Sequence, residues 1–331
     1  MIASSPINNK YILMKILKMS VLFLVMAMAT SEASCSLYAQ SRKSALLSFF
    51  SEKDFNRFFP QHNQFFSYKS LKQAVSEMSV VKIRIEKRGI WIFKITKTDL
   101  VTGKSTVVRQ DPDWEQDWAK KEPYSNTEIN YGDFCANLNK REAAAFFAHI
   151  AHETRNGVNG KFNDGLMLTQ ELRTDLDYVI QNKVYPAVAG QKYYGRGPLQ
   201  LSYNGNYGFA STVIFGNPDI LLNKPDLVTK DPVLSFKTAI YFWMTPQNRK
   251  PSAHAVMTGE WKPSETEKAS GYAPGFGMTI NLINGSIECN KGENSSGMQD
   301  RIGFYRYFLK LLNVSDPNCV CSCGKMVPFP S

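Results

Sequence analysis

Residues 139–154 read NKREAAAFFAHIAHET. Ala143, Phe146, Phe147 and Ile150 recur three and four positions apart, the spacing of one buried helix face. Asn139 stands where an N-cap belongs, and Glu142 three residues later gives a capping-box-like start, so a helix is predicted from Lys140 through Glu153. Near its end His149 and His152 lie three apart, as metal ligands often do. Their order with Glu153, HxxHE, matches neither HExxH nor HxxEH, and no third ligand is evident. Packing and hydrogen bonding is the favoured account of both histidines, and no metal or cofactor is expected. Glu153 closes an apolar helix, where the negative end of the macrodipole and low polarity both disfavour a carboxylate and push its pKa up. That suits a general acid. Taken alone, Glu153 suits a structural salt bridge better.

Working outward, residues 41–78 carry LLSFF, DFNRFF and YKSLKQAVSEM at helical spacing. The pattern then changes: VVKIRIEKRGIWIFKITKTDLVTGKSTVV, from Val80, alternates β-branched or aromatic residues with charged ones, predicting a β-hairpin or meander over 80–110. The polar, Trp-containing stretch from there to Asn139 is expected to be irregular. Asp231 and Pro232 fit N-cap and N1 of a helix through Trp243. A last helix is predicted over Asp300–Leu312 from the spacing of Ile302, Tyr305, Phe308 and Leu309.

The 331 residues are 43% hydrophobic and 12% aromatic, enough for one large core or two smaller ones. The formal charge of +10 comes from scattered Lys and Arg, with no nucleic-acid module, so a solvated basic surface or attraction to anionic cell-wall polymers explains it. At the N-terminus Lys10, Lys15 and Lys18 precede the apolar run Val21–Met28, and small residues around Ala33 suit signal cleavage; Met14 is an alternative start. The run falls short of the about 20 residues needed to span a bilayer, so export without stable membrane insertion is expected. Cys35 is a poor lipidation site because Glu32 stands where an apolar residue belongs. Export permits disulfides among the six cysteines, and the C-terminal CVCSC reads as disulfide-forming rather than metal-binding, lacking a second cysteine pair or a nearby His. Asn294-Ser-Ser and Asn313-Val-Ser match glycosylation acceptors.

The segment KYYGRGPLQLSYNGNYG, 192–208, places polar residues between aromatics beside a tight turn. Two readings stay open: a sugar-binding cleft, which uses ring stacking and fixed hydrogen bonds, or a hairpin using Gly and Asn for turn geometry. With AAAFFAHIAHET, KPDLVTKDPVLSFKTAIYFWMTPQ, KPSAHAVMTGEWKPS, GFGMTINLINGSIEC and DRIGFYRYF, this segment occurs in the order seen in the chitinases of glycoside hydrolase family 19, which the chain resembles over most of 140–312. The resemblance implies an α+β, predominantly helical, bilobal lysozyme-like fold with a central substrate cleft, here with an inserted β-hairpin or meander. It also implies secreted, endo-acting, inverting hydrolysis of β-1,4-N-acetylglucosamine linkages by a monomer, with chitin or chitooligosaccharides as partner.

The implied organisation is a signal peptide over 1–34, N-terminal helices over 35–79, a β-rich insertion over 80–132, the main catalytic part over 133–313 and a cysteine-rich tail over 314–331. Residue by residue, Glu153 takes the acid position and Glu171 the base position, eighteen residues later. The loop between them is shorter than in plant relatives, and the cysteine- and tryptophan-bearing stretch after the base is missing, implying shorter cleft ends. Ser202 matches the residue that helps hold the attacking water, and Gln200, Asn206, Gln247, Lys250 and Asn284 match sugar-contacting positions. Gly205 departs from the usual tyrosine. Glu288 and Arg301 match a buried charge network around the acid, and Cys289 and Cys319 a C-terminal disulfide. The alternatives are a peptidoglycan-cleaving muramidase or an inactive chitin-binding protein.

Overall fold

The computed structural model describes residues 44–156, 161–247 and 250–329. The signal peptide and Cys35 lie outside the described residues.

The described residues open with three short helices, α1 (Ala45–Phe49), α2 (Glu52–Phe58) and α3 (Tyr68–Met78). Ser51 and Ser67 cap the second and third, each accepting from the N3 backbone while the N3 side chain returns the bond. Four strands follow: β1 (Val81–Arg88), β2 (Ile92–Asp99), β3 (Ser105–Gln110) and β4 (Tyr124–Asn130), in the order β3-β2-β1-β4, with all pairs antiparallel. The first three form the expected meander. The fourth corrects the expectation of an irregular connection. Its sequence YSNTEIN buries only Ile129, because it covers an edge of the sheet and most of its side chains face water. Ile83, Ile85, Ile95 and Ile129 turn toward the main core, while Trp114 lies over the opposite face beneath Arg88 and Lys94, with ring-to-cation distances of 4.2 and 4.8 Å.

The predicted central helix is α4 (Lys140–Glu153), and Asn139 caps it by accepting the Glu142 N–H at 3.0 Å. Two details differ from the sequence reading. Every residue from Glu142 to Ala151 is buried, so the helix is covered on all sides rather than along one face. Glu142 also does not complete a capping box. Its carboxylate turns inward and accepts from the Cys135 N–H at 3.1 Å, Trp243 Nε1 at 2.9 Å and His254 Nδ1 at 2.7 Å.

Around α4 stand α5 (Asn204–Phe215), α6 (Pro232–Met244), α7 (Ala253–Thr258), α8 (Phe276–Glu288) and α9 (Ser296–Leu311). Asp231 caps α6 and Pro232 opens it, as predicted, while α9 starts four residues before the predicted Asp300. Aromatic rings join these pieces: Phe50 stacks on Phe147 and Phe58 on Phe308, both at 4.5 Å, and Phe146 meets Trp243 edge-on at 5.6 Å. Such pairs add about 0.5–1.5 kcal/mol each beyond the area they bury. This is the expected predominantly helical, lysozyme-like α+β fold with a small antiparallel sheet.

The disulfides correct the implied pairing. Cys289 bonds Cys323, not Cys319, because the tail's backbone meets the end of α8 at Cys323: Asn290 donates to its carbonyl at 3.1 Å and Gly292 to that of Gly324 at 3.0 Å. Cys319 pairs with Cys321, and Cys135 is buried and has no disulfide partner among the described residues.

The Glu142–His254 pair makes stability depend on pH. Burial pushes the His254 imidazole down, but the bond and charge of Glu142 outweigh it and hold its pKa above 6.5. With the folded pKa raised, the stabilisation is complete below the unfolded value and is lost as pH rises through the folded one. In His254→Asn a neutral amide can still meet Glu142. The melting-temperature advantage of wild type over this variant should be largest below about pH 6 and shrink toward pH 9. A constant difference across that range would remove the charge from the account.

Candidate active site

The candidate acid and base are set by two hydrogen-bonded groups joined through the end of α4. Glu153 is the last residue of α4, and Thr154 caps the helix. The Thr154 hydroxyl donates to the Ile150 carbonyl and accepts the Leu166 N–H at 2.7 Å, while its carbonyl takes the N–H groups of Met167 and Leu168 at 3.0 and 2.9 Å. The chain therefore returns to the helix end at 166–168, whatever path it takes between. Glu171 follows three residues after Leu168.

Around Glu171 the backbone pairs with the GRGPLQ segment. The Glu171 N–H donates to the Gly195 carbonyl at 2.9 Å, and the Gly195 N–H returns to Glu171 Oε1 at 2.8 Å. Tyr178 Oη donates to Glu171 Oε2 at 3.0 Å. A Cβ at Gly195 would stand 2.9 Å from Gln200 Oε1 and 3.4 Å from Ser202 Oγ, so glycine is what lets these side chains lie against the backbone that bonds Glu171. Ser202 Oγ donates to the Gln200 carbonyl at 2.9 Å, and Asn206 Nδ2 to the Ser202 carbonyl at 2.9 Å. Glu171, Gln200, Ser202 and Asn206 thus share one cluster. The hairpin alternative for 192–208 is met only in part. Arg196 bridges both Gln170 and Leu201, but NGNYG forms the first turns of α5. Asn204 is buried there, clamping Ile180 and Tyr185 through three bonds of 2.8–3.1 Å. At Gly205 an added Cβ would meet Asn182 Nδ2 at 2.7 Å, so Asn182 fills space that a larger side chain would need.

Around Glu153 the centre is Arg301, fully buried on α9. Its Nε donates to both Glu288 oxygens at 3.1 and 3.0 Å, its Nη2 to Glu288 Oε1 at 2.9 Å and to Glu153 Oε1, and its Nη1 to His149 Nδ1 at 3.0 Å. Burial pushes the Glu288 carboxyl up, and the Arg301 guanidinium more than offsets this, holding it below its ordinary value. Asn284 joins the group: α8 breaks helical geometry at this residue (φ −142°), and its Nδ2 donates to Glu288 Oε1 at 2.7 Å. The two histidines part company. His149 points to Arg301 and to Thr279 Oγ1 at 2.8 Å, whereas His152 bonds Asp300 at 2.6 Å. Arg155 links Asp300 to Asp164.

Gln247 and Lys250 pair with each other through backbone bonds of 3.2 and 2.8 Å. No hydrogen bond among the described residues ties them to either group. Lys250 is half-buried, and that burial lowers its pKa. Gln200 Oε1 and Gln247 Nε2 are buried with no hydrogen-bond partner among the described residues. Sequence reasoning missed Tyr178 and Asp300, for which no motif exists. It also missed His149 as a member of the Arg301 group, although His149 and Glu153 stand four apart on one helix face.

Removing Arg301 leaves two buried or half-buried carboxylates facing each other. Arg301→Ala should cost about 3–5 kcal/mol of unfolding free energy, and Arg301→Lys should recover part of it, keeping the charge without the fork. Denaturant titration of both variants tests this. Wild-type stability in Arg301→Ala would mean the guanidinium is not holding the group together.

The family model described as chitinase class I matches residues 125–322, a span containing every site residue named above. Chitinase 1 of Oryza sativa subsp. japonica is 48% identical over 198 residues, covering 58% of this chain and 60% of that protein. Endochitinase 3 of Nicotiana tabacum is 46% identical over 196 residues, covering 58% and 57%. The chain thus spans 60% or less of the length of these relatives. Among solved structures, a family GH19 class IV chitinase from Zea mays superposes with a TM-score of 0.53 at 27% identity, covering 83% of this chain and 98% of that one. A chitinase C mutant gives 0.55 at 28% identity, covering 83% and 97%. With the family model matching more than half of its length, the chain belongs to the chitinase class I family, glycoside hydrolase family 19.

Proposed function

We propose that the chain is a secreted, monomeric, endo-acting chitinase that hydrolyses β-1,4-N-acetylglucosamine linkages by a single inverting displacement. The observation that carries this reading is the contrast between two carboxylates tied to one helix end. Glu153 is gripped by a guanidinium shared with a second carboxylate, while Glu171 is held by a backbone N–H and a tyrosine hydroxyl. Different surroundings are how two carboxyl groups take opposite protonation roles.

In the proposed mechanism Glu153 gives its proton to the glycosidic oxygen as the bond to the anomeric carbon breaks. Glu171 takes a proton from a water that attacks the opposite face of that carbon, with Ser202 Oγ holding the water. Inversion requires the carboxylates about 6.5–9.5 Å apart to leave room for it. Gln200, Asn206, Gln247, Lys250 and Asn284 are proposed sugar contacts. The unpartnered Gln200 Oε1 and Gln247 Nε2 support this for two of them. Strands β1–β3 precede the family-matched residues, which supports most of 80–132 as an addition to the catalytic part, while 125–132 falls within the match. Secretion rests on the N-terminal sequence, with the two disulfides compatible with it.

Glu153→Gln should lower kcat by roughly 10²–10⁴-fold while binding of chitin oligomers persists, since the amide is nearly isosteric but donates no proton of the required kind. Glu171→Ala should lose turnover and regain it with added azide. NMR of products from the N-acetylglucosamine hexamer should show the inverted α-anomer first. A β-anomer, or unimpaired rates in both variants, would defeat the mechanism. Hydrolysis of purified peptidoglycan with none of chitin would favour the muramidase, for which the basic charge is the supporting observation.

A further inference from the structure

We propose that His149 is the positioning residue that aims Arg301 at Glu153, serving as an uncharged acceptor for the guanidinium; this rests on the glycosidase reading above. His149 and Glu153 are one turn apart on the same face of α4, and a single guanidinium spans both turns, Nη1 to the imidazole and Nη2 to the carboxylate. Nε and Nη2 are taken by Glu288 on α8. With His149 engaged, all three guanidinium nitrogens are engaged and the plane of the fork is set from three sides.

The proton positions on the ring follow from its partners. Arginine only donates, so the nitrogen facing it, Nδ1, carries no proton. On the other side the Thr279 hydroxyl spends its hydrogen on the Phe276 carbonyl at 2.7 Å and must accept from the ring, so Nε2 is protonated. Both constraints select the same neutral tautomer. Burial first, then the charges of Arg301 and His152, hold the imidazole pKa well below its ordinary value, in agreement. Phe276 stacks on the ring at 4.9 Å and fixes its plane.

The absence of charge is what makes His149 suited to this place. A carboxylate there would compete with Glu153 for the same cation and draw the guanidinium toward itself. A cation would push Arg301 away. A neutral imidazole directs Nη1 and leaves the balance between Arg301 and Glu153 unaltered, whether Glu153 holds its proton or has given it up.

Two amide substitutions of different length separate this role from packing. His149→Asn puts its terminal atoms near the Nδ1 position and can keep the acceptor for Arg301, whereas His149→Gln reaches the Nε2 position and keeps the link to Thr279. We expect His149→Asn to retain kcat on the N-acetylglucosamine hexamer within about threefold, and His149→Gln and His149→Leu to fall roughly 10–100-fold with KM little changed. Melting curves set the folded fraction by which each rate is divided. A purely structural histidine predicts the reverse order, since His149→Gln preserves the bond that ties α4 to α8. His149→Gln as active as His149→Asn, or losses that vanish after correction for folded fraction, would overturn the proposal. If the wild type cleaves no chitin oligomer, the glycosidase reading fails by itself. Ring-nitrogen NMR of the native protein then decides the arrangement: a bare Nδ1 with a protonated Nε2 upholds it, and a protonated Nδ1 overturns it.

Discussion

A buried guanidinium sets the terms for the rest of the molecule. Arg301 has no exposed surface, and an unpaired charge in such a place costs several kcal/mol. Its partners come from two helices besides its own α9: Glu288 from α8, and Glu153 and His149 from α4. These three helices therefore have little freedom to slide. A shift of α9 by one turn would strand the cation and at least one carboxylate. The stacked Phe58–Phe308 and Phe276–Tyr305 pairs hold α9 against α2 and α8 by packing, but rings tolerate small displacements that a fork of hydrogen bonds does not.

Glu171, the proposed base, is held mainly through backbone instead. From Thr154 to Glu171 the link consists of N–H to carbonyl bonds at 167–168 and again at 169–171 with Gly195 and Gly197, with the Leu166 N–H held by the Thr154 hydroxyl. Side chains enter this link at the Thr154 hydroxyl and, as added bulk, at Gly165, Gly195 and Gly197. The loop after the base depends more on side chains, because Asn204 carries the contacts to Ile180 and Tyr185, and Tyr178 reaches back to Glu171. Glu153 and Glu171 are thus held by different kinds of interaction that meet at Thr154.

The helical part of the fold was legible because its signals are local. Asn139 and Asp231 both cap the helices their positions predict, and the alternation in β1 matches its buried Val81, Ile83 and Ile85. The fourth strand was not, since a strand exposed on most of its length carries no hydrophobic alternation. The disulfide partner of Cys289 depends on where the tail's backbone docks, which spacing along the chain does not encode. In the site, Glu153, Arg301 and Glu288 were named through the resemblance, and their contacts are those of one network. The expectation of packing and hydrogen bonding holds for His149, but its partner Arg301 went unnamed, because the informative spacing was the four-residue step to Glu153. Tyr178 is brought to Glu171 by a loop whose left-handed turn at φ +52° leaves no sequence mark.

Helix α4 carries a carboxylate at each end, and the two are satisfied in opposite ways. Glu142 lies in the first turn, where the macrodipole favours negative charge, and it is met by a backbone N–H, an indole and an imidazole. Nothing more is needed to bury it. Glu153 lies in the last turn, where the dipole opposes a negative charge and no backbone N–H of the helix is free to help. The compensation has to arrive from another element, and it comes as the Nη2 of Arg301. The helix dipole and the guanidinium thus act on this carboxylate in opposite senses. At the start of the same helix the dipole and the partners act in one sense, and Glu142 is held by three donors.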